Sequence, residues 1–433
     1  MQTYDLIQKT RRLEPMNADE ITFLVNGFTK GDIPDYMMSA WLMAVCCQGL
    51  TVEETAALTL AMRDSGECLD LSAIGAVTID KHSTGGIGDK TTLLVAPIVA
   101  ACGGFVPKMS GRGLGFTGGT IDKLESIPGF RTSLSIADFL EITRKTGLCV
   151  IAQSGDLTPA DKKMYALRNL TATVDSIPLI CASIMSKKLA LGADCILLDV
   201  KYGSGAFMKT PEDAEILARL MVDVGKAAGK NCRAVITDMN APLGAAVGNA
   251  LEVAEVIRML RGETRNALTE LSTALAAQML VLAGRDDIVK CRKMAEDAIT
   301  SGAALEKLRL MIGMQGGESR VCDDPTLLPQ AACSMTVTAE SRGFVTAIQS
   351  EEVGLACLGL GAGRTADRTE IDFGAGVEFH RFVGDFVGQG DPLFTVYGAN
   401  TTLCGEAARR VSRAVTIKDA PAVQRPMIYK IIE

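Results

Sequence analysis

At 433 residues the chain exceeds what one hydrophobic core usually serves, so two or three domains are expected, with room for a cleft between them. Its 48% hydrophobic and 22% charged residues are ordinary globular composition, and a net charge of −7 argues against a nucleic-acid or membrane-surface protein, so any bound anion must be held by local positive groups. Thirteen cysteines, an odd number with an adjacent Cys46-Cys47 pair and no Cys-x-x-Cys, fit neither a disulfide framework nor a zinc site and read as reduced thiols.

Met1 to Asn17 carries no hydrophobic signal and no apolar run reaches about 18 residues, which predicts a cytoplasmic location. Residues 1 to about 66 read as helices. Asn17 with Glu20 and Thr51 with Glu54 form capping boxes, Pro34 suits a first helical position, and Gly49 and Gly66 sit where helices stop. The apolar faces containing Tyr36, Met37, Met43, Leu58 and Met62 read as core, packed on each other or on a partner chain.

The stretch Asp80–Glu125 organises the rest. Val77–Ile79 reads as a short strand, Lys81 to Lys90 as a glycine loop, and Leu93–Ala101 as a helix, an arrangement that turns backbone N–H groups and a helix N-terminus toward an anion. The logic repeats after Phe105–Pro107, with Lys108, Ser110, a run of glycines, Thr117 and Thr120. Neither half matches the P-loop or the dinucleotide fingerprint, but two donor-rich loops carrying Lys and Ser favour phosphate. Of the two histidines, His82 and His380, the first lies inside this motif, with an ordinary pKa near 6.5 that allows either protonation state.

Next come a helix over Phe139–Gly147 and a strand over Leu148–Ala152 that ends in Gln153-Ser154-Gly155. Thr158, Pro159 and Asp161 open a helix running past Tyr165 and Arg168. On the helix after Ser176, Ser183 and Lys187 stand four apart on one face and form a candidate ligand face, whereas Lys188 reads as solvated. From Asp194 strands and helices alternate: Cys195–Val200, Thr210–Val224, Arg233–Thr237, Leu251–Leu260, then helices around Leu268–Leu282 and Ile288–Met314. Ser334–Glu433 is strand-rich, with a biotinyl-carrier-like hairpin near Phe379–Leu393 but no Met-Lys-Met acceptor, and reads as a structural appendage. The fold class is therefore α/β: a small helical domain (1–66 and 158–192), a larger α/β domain with a mostly parallel sheet (67–157 and 193–333) and a strand-rich part (334–433). The crossings between the first two would act as hinges.

Lys81-His82-Ser83-Thr84-Gly85-Gly86, Lys108 to Gly115, Thr117 to Phe130, Thr158 to Lys163, Ser183 to Lys188 and Asp199 to Lys209 resemble the signature of the thymidine and pyrimidine-nucleoside phosphorylases, and the likeness extends to the C-terminus. The resemblance implies attack of inorganic phosphate on the anomeric carbon of a pyrimidine nucleoside, with no organic cofactor. It assigns phosphate to Lys81, His82, Ser83, Thr92, Lys108, Met109, Ser110 and Thr120, and the base to Tyr165, Arg168, Ser183 and Lys187. His82, Arg168 and Lys187 would act in catalysis. It further implies a potassium ion held largely by main-chain carbonyls at Gly88, Lys90, Leu243, Ala246 and Glu255, and a homodimer through the helical domain. Phe116 stands where the family usually has histidine, and Tyr202 where it has threonine or valine. Lys108 and Ser186 resemble the branch that accepts both uridine and thymidine. The competing expectations are a phosphorylase restricted to thymidine-type deoxynucleosides, an anthranilate-type phosphoribosyltransferase needing magnesium and phosphoribosyl pyrophosphate, and a silent nucleoside- or phosphate-binding protein.

Overall fold

The computed structural model describes all residues except 114–117, 154–156, 366 and 424. Four helices come first, α1 (Thr3–Arg11), α2 (Ala18–Lys30), α3 (Asp35–Gln48) and α4 (Val52–Arg63), and both expected capping boxes close at α2 and α4. Pro34 stands one place earlier than expected, as the N-cap of α3. Then follow β1 (Ile79–Ser83), α5 (Thr91–Ala101), β2 (Val106–Ser110), α6 (Thr120–Glu125), α7 (Ile136–Thr146), β3 (Leu148–Ala152), α8 (Pro159–Leu170) and α9 (Ile177–Leu191). Two strands run further than their hydrophobic patterns suggest. Lys81, His82 and Ser83 lie on β1, paired in parallel with β4 (Cys195–Tyr202), and Lys108 and Ser110 lie on β2, paired with β3, rather than in loops.

After β4 come α10 (Pro211–Ala227), β5 (Asn231–Asp238), β6 (Ala246–Val247), α11 (Asn249–Leu260), α12 (Ala267–Leu282), α13 (Ile288–Thr300) and α14 (Ala303–Met314). The segment read as one helix from Ile288 to Met314 is two, because Gly302 takes φ +77° between them. The C-terminal part holds β7 (Cys333–Thr338), β8 (Gly343–Ile348), α15 (Ser350–Leu360), β9 (Gly376–Phe379), β10 (Phe386–Val387), β11 (Pro392–Gly398), α16 (Thr401–Ala414), β12 (Val415–Lys418) and β13 (Ile428–Ile432).

The central sheet has the order β1-β4-β5-β13, parallel except for β13, which runs antiparallel to β5. A bridge from Thr78 to Phe105 links it to the β2–β3 pair. Its largest core gathers α5, α11, α12 and α14 against β1 and β4. A separate core unites α1–α4 with Ala160 and Met164 of α8 and Leu179 and Ala182 of α9, with Trp41 buried in it and its Nε1–H donating to Thr10 Oγ1 at 3.1 Å. A third core lies between β7–β12 and the helices α15 and α16. Among the described residues no helix is long and apolar enough to cross a membrane.

Candidate active site

A cleft of about 690 Å³ opens between the ends of β1 and β2 on one side and α8 and α9 on the other. Strand alternation sorts the motif on β1 into two faces. Asp80 and His82 face one way. There Asp80 is shared by Lys188 at 2.8 Å and Lys108 at 3.4 Å. Lys81 and Ser83 face the other way, toward the start of α5. Lys81 is 1% exposed; its ammonium donates to Thr91 and stands 3.0 Å from Asp199, so it supports the loop from behind rather than lining the cleft. Ser83 donates to Asp89, whose other oxygen accepts from the Thr91 N–H at 3.1 Å and hydroxyl at 2.6 Å.

Across the cleft, Ser183 and Lys187 share one face of α9, as the four-residue spacing requires. The Lys187 ammonium donates to the Ser183 carbonyl at 2.7 Å and hydroxyl at 2.9 Å, and to Asp161 on α8. Arg168 is 2% exposed and donates to the carbonyls of Thr173, Leu179 and Val174, at 3.1, 3.0 and 2.7 Å. A guanidinium has five N–H donors, so it fastens the α8–α9 connection and retains donors for a ligand. Tyr165 completes this wall, with the Arg168 guanidinium 5.6 Å from its ring centre.

Charge is concentrated here despite the acidic chain. Burial, followed by the fields of Lys188, Lys108, Lys187 and Lys81, holds His82 well below its usual pKa, so its imidazole is neutral rather than free to take either state. Burial also pushes the Lys108 ammonium down to about 7, against the opposing pull of Asp80. Lys187 is lowered by burial, with Asp161 opposing. For Asp89 burial works toward a higher pKa, but Lys81, Lys201, Lys123 and the Ser83 hydroxyl prevail and hold it well below the carboxylate range.

The five residues expected around potassium do come together, but they do not fit the ion. The ammonium of Lys90 itself fills the space, donating to the carbonyls of Leu243 and Ala246 at 2.8 Å each and to Glu255 Oε2 at 2.7 Å. Glu255 is buried; the burial favours its neutral form, yet Lys90 and the N–H groups of Ala245 and Ala246 hold its pKa below the usual value. A second cation on the same oxygens would stand beside a fixed positive charge. At 4 Å and an effective dielectric near 20, that repulsion is about 4 kcal/mol.

Of the predicted phosphate set, His82, Ser83, Thr92, Lys108, Met109, Ser110 and Thr120 line the cleft, and all four predicted base residues do. Lys188, expected in solvent, is 4% exposed and belongs to the lysine group around Asp80. Asp89 and Asp161 also line the cleft, and sequence reasoning left both out of the site. Tyr202 lies outside the lining, edge-on to Tyr429 with ring centres 5.8 Å apart, and Ser186 is fully buried. Phe116 and Thr117 lie outside the described residues.

Residues 4–66 match the helical bundle domain of a glycosyl transferase family, residues 75–305 its a/b domain, and residues 344–418 a pyrimidine nucleoside phosphorylase C-terminal domain. The chain is 49% identical over its whole length to a pyrimidine-nucleoside phosphorylase of Staphylococcus haemolyticus strain JCSC1435, and 48% identical to one of Staphylococcus aureus strain MSSA476, each covered completely. Anthranilate phosphoribosyltransferase from Thermus thermophilus shares the fold, with a TM-score of 0.58 over 71% of this chain and 98% of its own, at 19% identity.

Proposed function

Because the chain belongs to the pyrimidine-nucleoside phosphorylases, a family of pentosyltransferases, we propose that it splits uridine, thymidine and 2′-deoxyuridine reversibly, using inorganic phosphate, into free base and pentose 1-phosphate. The observation that carries this reading is the pairing of two groups of donors across one cleft: Lys108 and the neutral His82 on the strand side, joined there by the Lys188 ammonium that reaches over from α9 to Asp80, and Lys187 and Arg168 on the helix side. Such a displacement builds positive charge on the sugar and negative charge on the departing base, so it needs an anion held against one face and cationic donors on the other. Phosphate replaces Asp89 as acceptor for Ser83 and is met by Thr92, Lys108, Ser110 and Thr120. Lys187, kept charged by Asp161, stabilises the base as it leaves, and Arg168 offers its remaining N–H groups to a carbonyl. His82 donates a hydrogen bond to sugar or phosphate; a neutral imidazole is a weak proton source.

Lys108 on the cleft wall supports acceptance of both ribo- and deoxynucleosides. Two such protomers pair through the helical domain. The test is ultraviolet-monitored cleavage of the three nucleosides with and without phosphate. Cleavage of all three only with phosphate is the expected result. Cleavage of deoxynucleosides alone would assign a thymidine-type enzyme, and no cleavage a binding role.

A further inference from the structure

We propose that Lys90 is a built-in univalent cation: its tethered ammonium takes the place of a dissociable ion in the cage made by the Leu243 and Ala246 carbonyls and the Glu255 carboxylate, and holds the phosphate-facing loop in place. An ammonium has three donors and no acceptor. Here all three are matched, at 2.8, 2.8 and 2.7 Å, within the range of charge-assisted hydrogen bonds. The cage is electrically complete as well, one carboxylate facing one ammonium, both fully buried. Both Glu255 oxygens are also engaged by the turn: Oε1 accepts the Ala245 N–H at 2.7 Å and Oε2 the Ala246 N–H at 2.9 Å. A further cation would leave unbalanced charge away from water.

The position of the cage gives the ammonium its task. Lys90 is the residue just before α5, and its neighbours Asp89 and Thr92 line the cleft. The loop lies directly on the 243–246 turn: a Cβ on Gly88, at φ +71°, would meet the Leu243 carbonyl at 2.6 Å, and the Leu243 N–H donates to the Ile87 carbonyl at 3.0 Å. The ammonium thus ties the loop, the start of α5, the turn and α11 at one point. A covalent tether keeps that charge present whatever the ionic composition of the solution.

The activity arm of the test rests on the phosphorylase reading; the stability arm does not. Turnover and thermal midpoint of the unaltered protein are measured in potassium, sodium and choline chloride at equal ionic strength. The expected result is no difference in either. A several-fold rise in turnover, or a rise in midpoint specific to potassium, would overturn the proposal. Lys90→Ala vacates the cage, and Lys90→Met fills it with a neutral chain of similar length. In choline chloride both should lose about tenfold or more in turnover, with KM for phosphate raised and KM for nucleoside kept. Only Lys90→Ala should regain turnover and midpoint in potassium or ammonium chloride. A Lys90→Ala variant unaffected in choline, or restored by no univalent cation, would reduce Lys90 to an ordinary buried ion pair. If the variants fail to fold, the unaltered protein still decides. If no buffer supports turnover, the phosphorolysis reading fails while the midpoints still test the cage.

Discussion

Buried beside Asp80, Lys188 and Lys81, Lys108 has its pKa pushed down to about 7, and a pH signature follows. Below pH 7 its ammonium is charged and ready for phosphate. Above pH 7 the free enzyme holds it neutral, so binding the anion must also take up a proton. KM for phosphate is therefore expected to rise from pH 7 to pH 9, at most roughly tenfold per unit. Lys108→Arg, charged throughout, should flatten that rise. A flat profile in the unaltered enzyme would remove Lys108 from the partners of phosphate. On the opposite wall, Lys187→Ala should lower kcat by roughly a hundredfold or more while calorimetry still detects phosphate binding. Retained turnover would end its assignment to the leaving base. Ser183 and Lys187 were legible because a spacing of four is a geometric statement about one helix. Asp161 was not, since a carboxylate in the first turn of α8 has a sufficient local explanation and its ion pair depends on which helix lies alongside. The reach of Lys90 was hidden for a related reason: a resemblance places ligands but does not say that a side chain will reach back into the space they surround.

At the level of elements, the reading placed most helices and strands up to Met314 but missed α6 and β6, gave the C-terminal part only as strand-rich without α15 and α16, and shortened β1 and β2, because both carry polar residues at their ends. Their pairing with β4 and β3 runs on through Ser83 and Ser110, and tertiary hydrogen bonding overrides the loss of hydrophobic pattern. A less visible tie is Gln315, fully buried just beyond α14. Its amide nitrogen donates to the carbonyls of Arg131 and Val150 at 2.9 Å each, and its oxygen accepts the Val150 N–H at 3.1 Å, so it fastens α14 to β3. Gln315→Leu leaves these backbone groups buried without partners, each costing about 1–3 kcal/mol. A loss of about 3 kcal/mol or more in urea unfolding is expected; a change below about 0.5 kcal/mol would show that water or another side chain replaces the amide.

For the whole molecule, the proposed pairing of protomers makes a prediction on α3. Tyr36 and Met43, seven residues apart on one face, are 73% and 41% exposed in the single chain. Met43→Glu should give monomers by light scattering, and an unchanged dimer would move the interface elsewhere. The closing strand of the central sheet bears on how such a molecule is made. β13 pairs with β5, yet Ile428 follows Asp238 only after α11–α16 and the entire strand-rich part have been synthesised. At about 5–20 residues per second, the outer edge of β5 waits roughly ten to forty seconds on the ribosome for its partner. During that interval it is a bare row of N–H and C=O groups beside hydrophobic side chains, the kind of edge on which chains aggregate. The sheet that opens with β1 is thus among the last to be sealed, so the yield of the protein in the cell depends on what shields that edge during the wait.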